Sequence, residues 1–111
     1  MKKYINQKFP YERDLYGVDG VYLENCFFDG VEDGESALKE AENVSLKSCY
    51  MNLRYPLWHD KNVLLNDVTM TDKCRAALWY TNDVKISESR LLGIKALREC
   101  ERIEIANSTV V

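Results

Sequence analysis

Hydrophobic residues recur along the chain at fixed offsets from five leucines, and mostly polar residues fill the positions between them. The leucines follow one another at steps of 23, 19, 21 and 19 residues and are Leu15, Leu38, Leu57, Leu78 and Leu97. Six residues after each leucine stands an aliphatic residue: Val21, Val44, Val63, Val84 and Ile103. Two residues further stands another: Leu23, Leu46, Leu65, Ile86 and Ile105. Self-similarity of this kind is typical of a solenoid of stacked repeats.

The pattern inside each repeat predicts strands. Apolar and polar residues alternate at residues 44–47 and again at residues 103–106, which is the period of a strand with one buried face. Repeats of this length are too short for strand–helix–strand units, which need about 30 residues. The frame of a leucine-rich repeat appears only in scattered fragments. The sequence therefore predicts an all-β fold, a parallel β-helix of about five coils with 19–23 residues each.

Differences in coil length fall in one stretch, at residues 29–34 of the first coil and 71–73 of the third. Insertions in a solenoid lie in loops on one face. The position before the first strand aliphatic is filled by Gly20, Asn43, Asn62, Asp83 and Arg102. Glycine, asparagine and aspartate tolerate a left-handed φ, and the side chains of the last two bond the nearby backbone. We expect a tight corner here, with bonds to the backbone or to the stacked neighbour.

The length of the chain, 111 residues, and its hydrophobic content of 46% fit a single domain. We expect residues 1–10 to form an N-terminal cap or a first strand, and residues 11–111 to form the stacked coils. We expect the last coil to end at Val111 without a cap. The expectation is therefore a truncated solenoid, or an open end that another surface covers.

Charge and composition exclude several classes of partner. The net charge is −3 without a basic block, so neither nucleic acid nor an anionic membrane is expected. No apolar run approaches the roughly 18 residues of a membrane span, and the segment after Met1 is polar rather than secretory. The sequence thus predicts a soluble cytoplasmic protein.

The four cysteines form no CxxC pair, and one histidine is too few for a usual zinc site. We expect reduced thiols, no metal and no cofactor. Cys26 and Cys49 fall in one inward-facing column of adjacent coils. A cross-coil disulfide is geometrically conceivable there, but buried cysteine is a common core residue, so a ladder of packed thiols is favoured.

The position after each leucine is filled by Tyr16, Lys39, Trp58, Trp79 and Arg98. This column predicts that two stacked indoles lie between two cations. One interpretation is a self-stabilising ladder with cation–π contacts of about 0.5–1 kcal/mol each. The other is a flat aromatic platform for a sugar ring.

Four segments, residues 12–16, 33–40, 54–58 and 75–80, resemble those of an uncharacterised bacterial β-helical family, domain of unknown function 3737. The resemblance implies a right-handed, pectin-lyase-like β-helix without an established activity. Polysaccharide lyases of this architecture typically pair a calcium-binding acidic cluster with a basic residue. Here an acidic loop at residues 29–35 and Arg54 or Arg75 are the nearest equivalents, but acidic loops are mostly solvated and no EF-hand-like frame is present.

Two further positions are candidates for binding. Glu35 and Arg54 are expected as neighbours on consecutive coils, where a structural ion pair explains them without a substrate. His59 lies beside Asp60, which favours a surface ion pair, although a histidine is also the natural proton shuttle of this sequence. The candidate ligand-binding residues are Trp58, Trp79, Tyr80, Arg54, Arg75, Glu35 and His59; no catalytic residue is assigned.

Two functional hypotheses remain. The leading one is a noncatalytic scaffold or binding module that associates through its open C-terminal coil, because unpaired strand edges are templates for pairing. The competing one is carbohydrate binding or cleavage at the face of Trp58 and Trp79, by a polysaccharide lyase or a glycoside hydrolase. A noncatalytic role is favoured because no base and metal can be assembled from the sequence.

Overall fold

The computed structural model describes residues 2–9, 15–29 and 37–110. These residues form eleven strands and no helix. The strands are β1 (Lys2–Ile5), β2 (Asp19–Glu24), β3 (Phe27–Phe28), β4 (Glu42–Lys47), β5 (Tyr50–Met51), β6 (Lys61–Asn66), β7 (Thr69–Met70), β8 (Asn82–Ser87), β9 (Arg90–Leu91), β10 (Glu101–Ala106) and β11 (Thr109–Val110).

Each coil supplies one strand to each of two parallel sheets. The long strands form a six-stranded sheet in the order β1-β2-β4-β6-β8-β10, and the short ones a five-stranded sheet in the order β11-β9-β7-β5-β3. Every pairing between these strands is parallel. The chain is therefore a β-solenoid of about five turns, which confirms the predicted architecture and repeat.

The register of the long sheet follows the columns counted from the sequence. Val21 pairs with Val44, and the same column continues through Val63 and Val84 to Ile103. In the first four coils these side chains point into the solenoid and are buried. The column of Leu23 is buried in the same four coils, and four of the five repeat leucines are buried as well. Residues at a fixed offset stack in one column because a parallel ladder without a bulge keeps equivalent side chains on the same face of each coil.

The predicted corner is present. The residues of the column from Gly20 to Arg102 all adopt a left-handed φ, between 55° and 82°. Asn62 Nδ2 donates to Asn43 Oδ1 at 2.7 Å, and Asn43 Nδ2 donates to Asp19 Oδ1 at 2.8 Å. Arg102 donates to Asp83 at the end of the same column. These side chains stabilise one another between coils, as expected.

Further corners were not identified from the sequence. Left-handed φ values recur in three more columns, one of them holding Glu40, His59, Tyr80 and Glu99, with φ between 53° and 60°. A non-glycine residue in this conformation costs about 1–2 kcal/mol. The solenoid compensates for that cost with inter-coil hydrogen bonds: the Tyr80 N–H, for example, donates to the carbonyl of Arg98 at 2.8 Å.

The four cysteines are free, and Cys26, Cys49 and Cys74 are buried. Cys26 and Cys49 occupy adjacent coils, and the Cys49 thiol donates to the Leu23 carbonyl at 3.4 Å. Burial raises the pKa of the Cys49 thiol to about 11. The packed-thiol ladder is the observed arrangement.

The structure describes residues 71–73, the stretch of variable length in the third coil, more fully than residues 29–34, the corresponding stretch in the first coil. In the third coil, Thr71 Oγ1 donates to Asn52 Oδ1 at 2.5 Å, and Asn52 Nδ2 donates to Asp29 Oδ1 at 3.1 Å. This polar ladder joins the two places where coil length varies. Residues 30–34, most of the first stretch, lie outside the described residues.

Candidate functional site

The column after the repeat leucines forms a stack that we call the aromatic ladder: Lys39, Trp58, Trp79 and Arg98. The two indoles lie face to face, with ring centroids 5.9 Å apart and planes 19° apart. Lys39 Nζ lies 5.3 Å from the centroid of Trp58, and Arg98 Cζ lies 4.8 Å from that of Trp79. The predicted pair of indoles between two cations is confirmed.

Other rings enclose this ladder. Tyr80 meets Trp58 edge-on at 5.8 Å, and Tyr55 lies at 5.4 Å from Trp58, tilted by 48°. His59 stacks on Tyr80 at 4.8 Å. The fold thus brings Trp58, Trp79, Tyr80 and His59 into one cluster. Both indoles are half-buried. Their faces contact each other and the two cations, whereas a sugar platform needs an exposed face.

The N–H groups of the two indoles differ in their hydrogen bonding. Trp79 Nε1 donates to the Lys95 carbonyl at 2.5 Å. Trp58 Nε1 is buried and has no hydrogen-bond partner among the described residues. The ladder is therefore anchored through Trp79, while Trp58 is held by ring contacts.

The remaining predicted binding residues lie beside this cluster or outside the description. Arg54 is half-buried, with Cζ 5.6 Å from the ring centroid of Tyr55. Arg75 is exposed one coil further on, where its carbonyl accepts a hydrogen bond from the Tyr55 N–H at 3.1 Å. Glu35 and the neighbouring acidic residues Glu32 and Asp33 lie outside the described residues, so the pairing of Glu35 with Arg54 stays a prediction.

Asp60 is a buried carboxyl that sequence reasoning placed at the surface. Its side chain is 2% exposed, and Oδ1 accepts a hydrogen bond from the Ala41 N–H at 2.9 Å. The expected surface ion pair between His59 and Asp60 is wrong, because His59 is exposed whereas Asp60 is buried. Asp60 shares a column with Ala41, Thr81 and Cys100, and the small size of these residues is the signal that could have revealed an inward position.

Burial raises the pKa of Asp60 to about 9, although the Ala41 N–H partly offsets the shift. Its Oδ2 is buried without a hydrogen-bond partner among the described residues. A carboxyl in such surroundings is protonated at neutral pH, since the charged form would lose its hydration. Asp60 is therefore a neutral acid inside the third coil.

The last described coil, residues 97–110, presents apolar side chains that earlier coils bury. Ile105 is 45% exposed, whereas Ile86, its partner in β8, is 1% exposed. Ile103 and Val110 are half-buried. Within the described residues, β10 pairs only with β8 and β11 only with β9. Both strands are therefore the outermost strands of the described sheets.

Comparison with known families decides the relationship of the chain. The profile of a family described as "Protein of unknown function (DUF3737)" matches residues 2–111. The chain belongs to this family. The resemblance seen in the sequence is thereby confirmed at the level of the family. A search among curated proteins finds no match to the chain.

This DUF3737 chain also has an open groove of about 770 Å³ on the outer face of the long sheet. It is lined by Glu42, Asn43, Lys61, Asn62, Val63, Leu64, Asp83, Lys85, Arg102 and Glu104. Hydrogen bonding to Arg102 lowers the pKa of Asp83, so that carboxylate stays ionised. None of the predicted binding residues that the structure describes lines this groove.

Two features are absent from the described part of the DUF3737 chain. It contains no group of three or more His, Cys, Asp or Glu side chains arranged to hold a metal ion. It contains no helix long and apolar enough to cross a bilayer.

Proposed function

We propose that this DUF3737 chain is a noncatalytic β-solenoid scaffold that binds a protein partner by adding strands to its last described coil. The observation that carries the proposal is the exposure of Ile105, 45%, in a column whose previous member, Ile86, is 1% exposed. An apolar residue of a core column is buried only when the next coil stacks on it. A partner that supplies such a coil would gain that burial.

The backbone supports the same mode of binding. The outer edges of β10 and β11 present N–H and C=O groups in the spacing of a parallel ladder. Strand addition uses these groups for affinity and the alternating side chains for specificity. The junction between the last two described coils illustrates the geometry, since the Thr109 N–H donates to the Ser89 carbonyl at 2.9 Å.

The engagement of the candidate binding residues supports a noncatalytic role. The indole faces of Trp58 and Trp79 contact each other and two cations, and the ring of His59 stacks on Tyr80. Such contacts stabilise the stacking of coils. In this proposal the aromatic ladder stiffens the solenoid, and the last described coil carries the function.

The proposal includes a cytoplasmic location. Three of the four thiols are buried, and none forms a disulfide. Reduced cysteines are usual in that compartment. A right-handed, pectin-lyase-like winding and a bacterial origin remain predictions of the family resemblance.

The test is analytical ultracentrifugation over a range of protein concentration, combined with hydrogen exchange. We expect the wild type to associate as its concentration rises and the edge amides of β10 to become protected. Ile105→Arg should abolish both effects. Leu64→Arg is the matched control, because Leu64 is also 45% exposed but lies on the outer face of the long sheet, away from its end.

A wild-type chain that stays monomeric at high concentration with fast-exchanging β10 amides would contradict the proposal. Equal association of wild type and Ile105→Arg would contradict it as well. Circular dichroism of each variant checks that the solenoid is folded.

The groove on the long sheet favours a second candidate, carbohydrate binding. It presents both donors and acceptors around an exposed leucine, Leu64, which suits hydroxyl groups and the apolar face of a sugar. A glycan array and a uronate-release assay test this candidate with Trp58→Ala/Trp79→Ala and with Lys85→Ala. Loss of binding in the first variant places the sugar at the aromatic ladder, and loss in the second places it in the groove. No binding by the wild type would reject the candidate.

A further inference from the structure

We infer that the groove on the outer face of the long sheet binds a neutral oligosaccharide through pairs of neighbouring hydroxyl groups, with one sugar ring lying over Leu64. The inference rests on the second candidate of the proposed function, carbohydrate binding, because it names the class of sugar and its place. It is carried by two pairs of oppositely charged side chains that line the groove: Glu42 with Lys61, and Lys85 with Glu104.

The groove lies between two outward columns of the long sheet. One column is the left-handed corner, in which Asn43 and Asn62 have φ values of 55° and 59°. The other column holds Leu64 and Lys85, two residues further along their strands. Val63 stands between the two columns with its side chain buried, so it lines the groove with its backbone. The floor is therefore backbone, and the two columns are the walls.

The corner wall is held in place by its own hydrogen bonds. Asn62 Nδ2 donates to Asn43 Oδ1 at 2.7 Å, and Arg102 donates to Asp83 further along the same column. A side-chain amide has two N–H donors and an acceptor oxygen with two lone pairs, so these amides can also bond a ligand. Groups that are ordered before binding lose little conformational entropy when the ligand arrives.

The two charged pairs stand in register across neighbouring strands. Glu42 is opposite Lys61, and Lys85 is opposite Glu104. Residues opposite each other in a parallel sheet lie about 4.8 Å apart, which is close enough for an ion pair. Within the described residues, however, none of these four side chains forms one. Each pair therefore presents a donor and an acceptor side by side to a ligand in the groove.

Neighbouring hydroxyl groups of a sugar ring suit such a pair. A carboxylate only accepts hydrogen bonds, and an ammonium group only donates them, whereas a hydroxyl group does both. One hydroxyl can therefore donate to Glu42 while the next accepts from Lys61. Hydrogen bonds to charged groups are stronger than those between neutral groups. The same arrangement is available at Lys85 and Glu104.

Leu64 supplies an apolar surface between the two charged pairs. It is exposed on the outer face of the sheet, with Ser45 and Lys85 as its neighbours in the column. The C–H face of a sugar ring is apolar, so a ring over Leu64 removes apolar surface from water. The lining residues extend from the second coil to the fifth, three spacings or about 14 Å. One ring is shorter than this, so the groove suits an oligosaccharide.

The balance of charge favours a neutral sugar over an acidic one. The charged side chains that line the groove are three carboxylates and three cations: Glu42, Asp83 and Glu104, and Lys61, Lys85 and Arg102. An acidic oligosaccharide would bring its own negative charges beside the carboxylates of both pairs. Like charges in contact oppose binding. A neutral chain with many hydroxyl groups bonds both signs of charge without that cost.

The test is a glycan array followed by titration calorimetry of the full chain. The neutral oligosaccharide with the strongest array signal is compared with tetragalacturonate, which we expect to bind about tenfold more weakly or not at all. Lys61→Ala and Lys85→Ala should each weaken binding of the neutral sugar about tenfold, because each removes a charged donor. Lys47→Ala is the matched control, since Lys47 is an exposed lysine of the same sheet that does not line the groove.

The outcomes separate this inference from the carbohydrate candidate on which it rests. Binding of acidic sugars alone would overturn the inference and keep the candidate. So would neutral binding that is lost in Trp58→Ala/Trp79→Ala but unchanged in both lysine variants, because the sugar would then lie at the aromatic ladder. Equal weakening by Lys47→Ala would show a general effect of charge and also overturn the inference. No binding by the wild type would overturn both.

Discussion

The fourth and fifth coils carry the same kinds of residue at the same positions, yet their surroundings differ. Ile86 in β8 pairs in register with Ile105 in β10, and the first is 1% exposed while the second is 45% exposed. Both belong to strands with the same alternation. The difference arises from the neighbours, because Ile86 has a coil on each side and Ile105 has a described coil on one side. In a solenoid, burial is decided by the next repeat.

The largest effect expected of a single substitution concerns this pair. Ile86→Ala should lower the free energy of unfolding by about 3 kcal/mol, since it leaves a cavity between two coils. Ile105→Ala should lower it by about 1 kcal/mol, because the side chain is only partly removed from water. Urea denaturation at low protein concentration measures both. Equal costs would show that the last coil is covered as fully as the fourth.

The second prediction extends the comparison to a single column, where Asp60 is buried in the third coil and Cys100 is half-exposed in the fifth. The folded pKa of Asp60 is raised to about 9 from an ordinary value of 3.8, so the folded chain binds more protons than the unfolded one between these values. Stability should therefore fall by about 1.4 kcal/mol per pH unit from pH 5 to pH 8.

Asp60→Asn should remove that slope while keeping an oxygen to accept the Ala41 N–H. Urea denaturation at several pH values provides the measurement. Asp67→Asn is the control: hydrogen bonds from Arg90 and Ser48 lower the pKa of this carboxyl, so its contribution is lost only in acid and the slope above pH 5 stays. A slope that persists in Asp60→Asn would assign the pH dependence to another group.

The third prediction compares two glycines in different surroundings. A Cβ on Gly93 would lie 2.0 Å from the carbonyl oxygen of Cys74 in the preceding coil, so Gly93→Ala should cost about 2 kcal/mol or more. Gly17 has a φ of 69° and nothing within 4 Å of a built Cβ, so Gly17→Ala should cost about 1 kcal/mol of backbone strain. Thermal unfolding measures the stability cost of each substitution. A larger cost for Gly17→Ala than for Gly93→Ala would contradict the close contact between Gly93 and the coil of Cys74.

The smallest expected effect is the coupling inside the aromatic ladder. A double-mutant cycle of Trp58→Leu and Trp79→Leu should give a coupling free energy of about 1 kcal/mol, because these rings stack with nearly parallel planes. Phe27 and Tyr50 are the comparison pair, at 6.1 Å and 47°. Their cycle should give a smaller value. Coupling free energies of the same size in both pairs would show that the coupling does not depend on the stacking geometry.

The sequence predicted the candidate site unevenly. The stacked indoles and their flanking cations followed from counting, because residues at one offset in successive coils are neighbours. Asp60 did not, because a carboxylate beside a histidine is usually solvated, and its inward direction depends on the corner that precedes it. His59 and Tyr80 occupy that corner with left-handed φ values of 57° and 60°, which neither residue type suggests.

The amino-acid sequence alone determined the period, the strands, the parallel stacking and the columns of the core, since all of these depend on spacing, and spacing is conserved through a ladder without bulges. Only the tertiary structure decided which side chains are covered at the edge of the stack and which backbone positions take a left-handed φ. Both depend on hydrogen bonds and packing supplied by a neighbouring coil. A residue in the core column of Ile105 is apolar by sequence, but it is buried only where another coil lies over it.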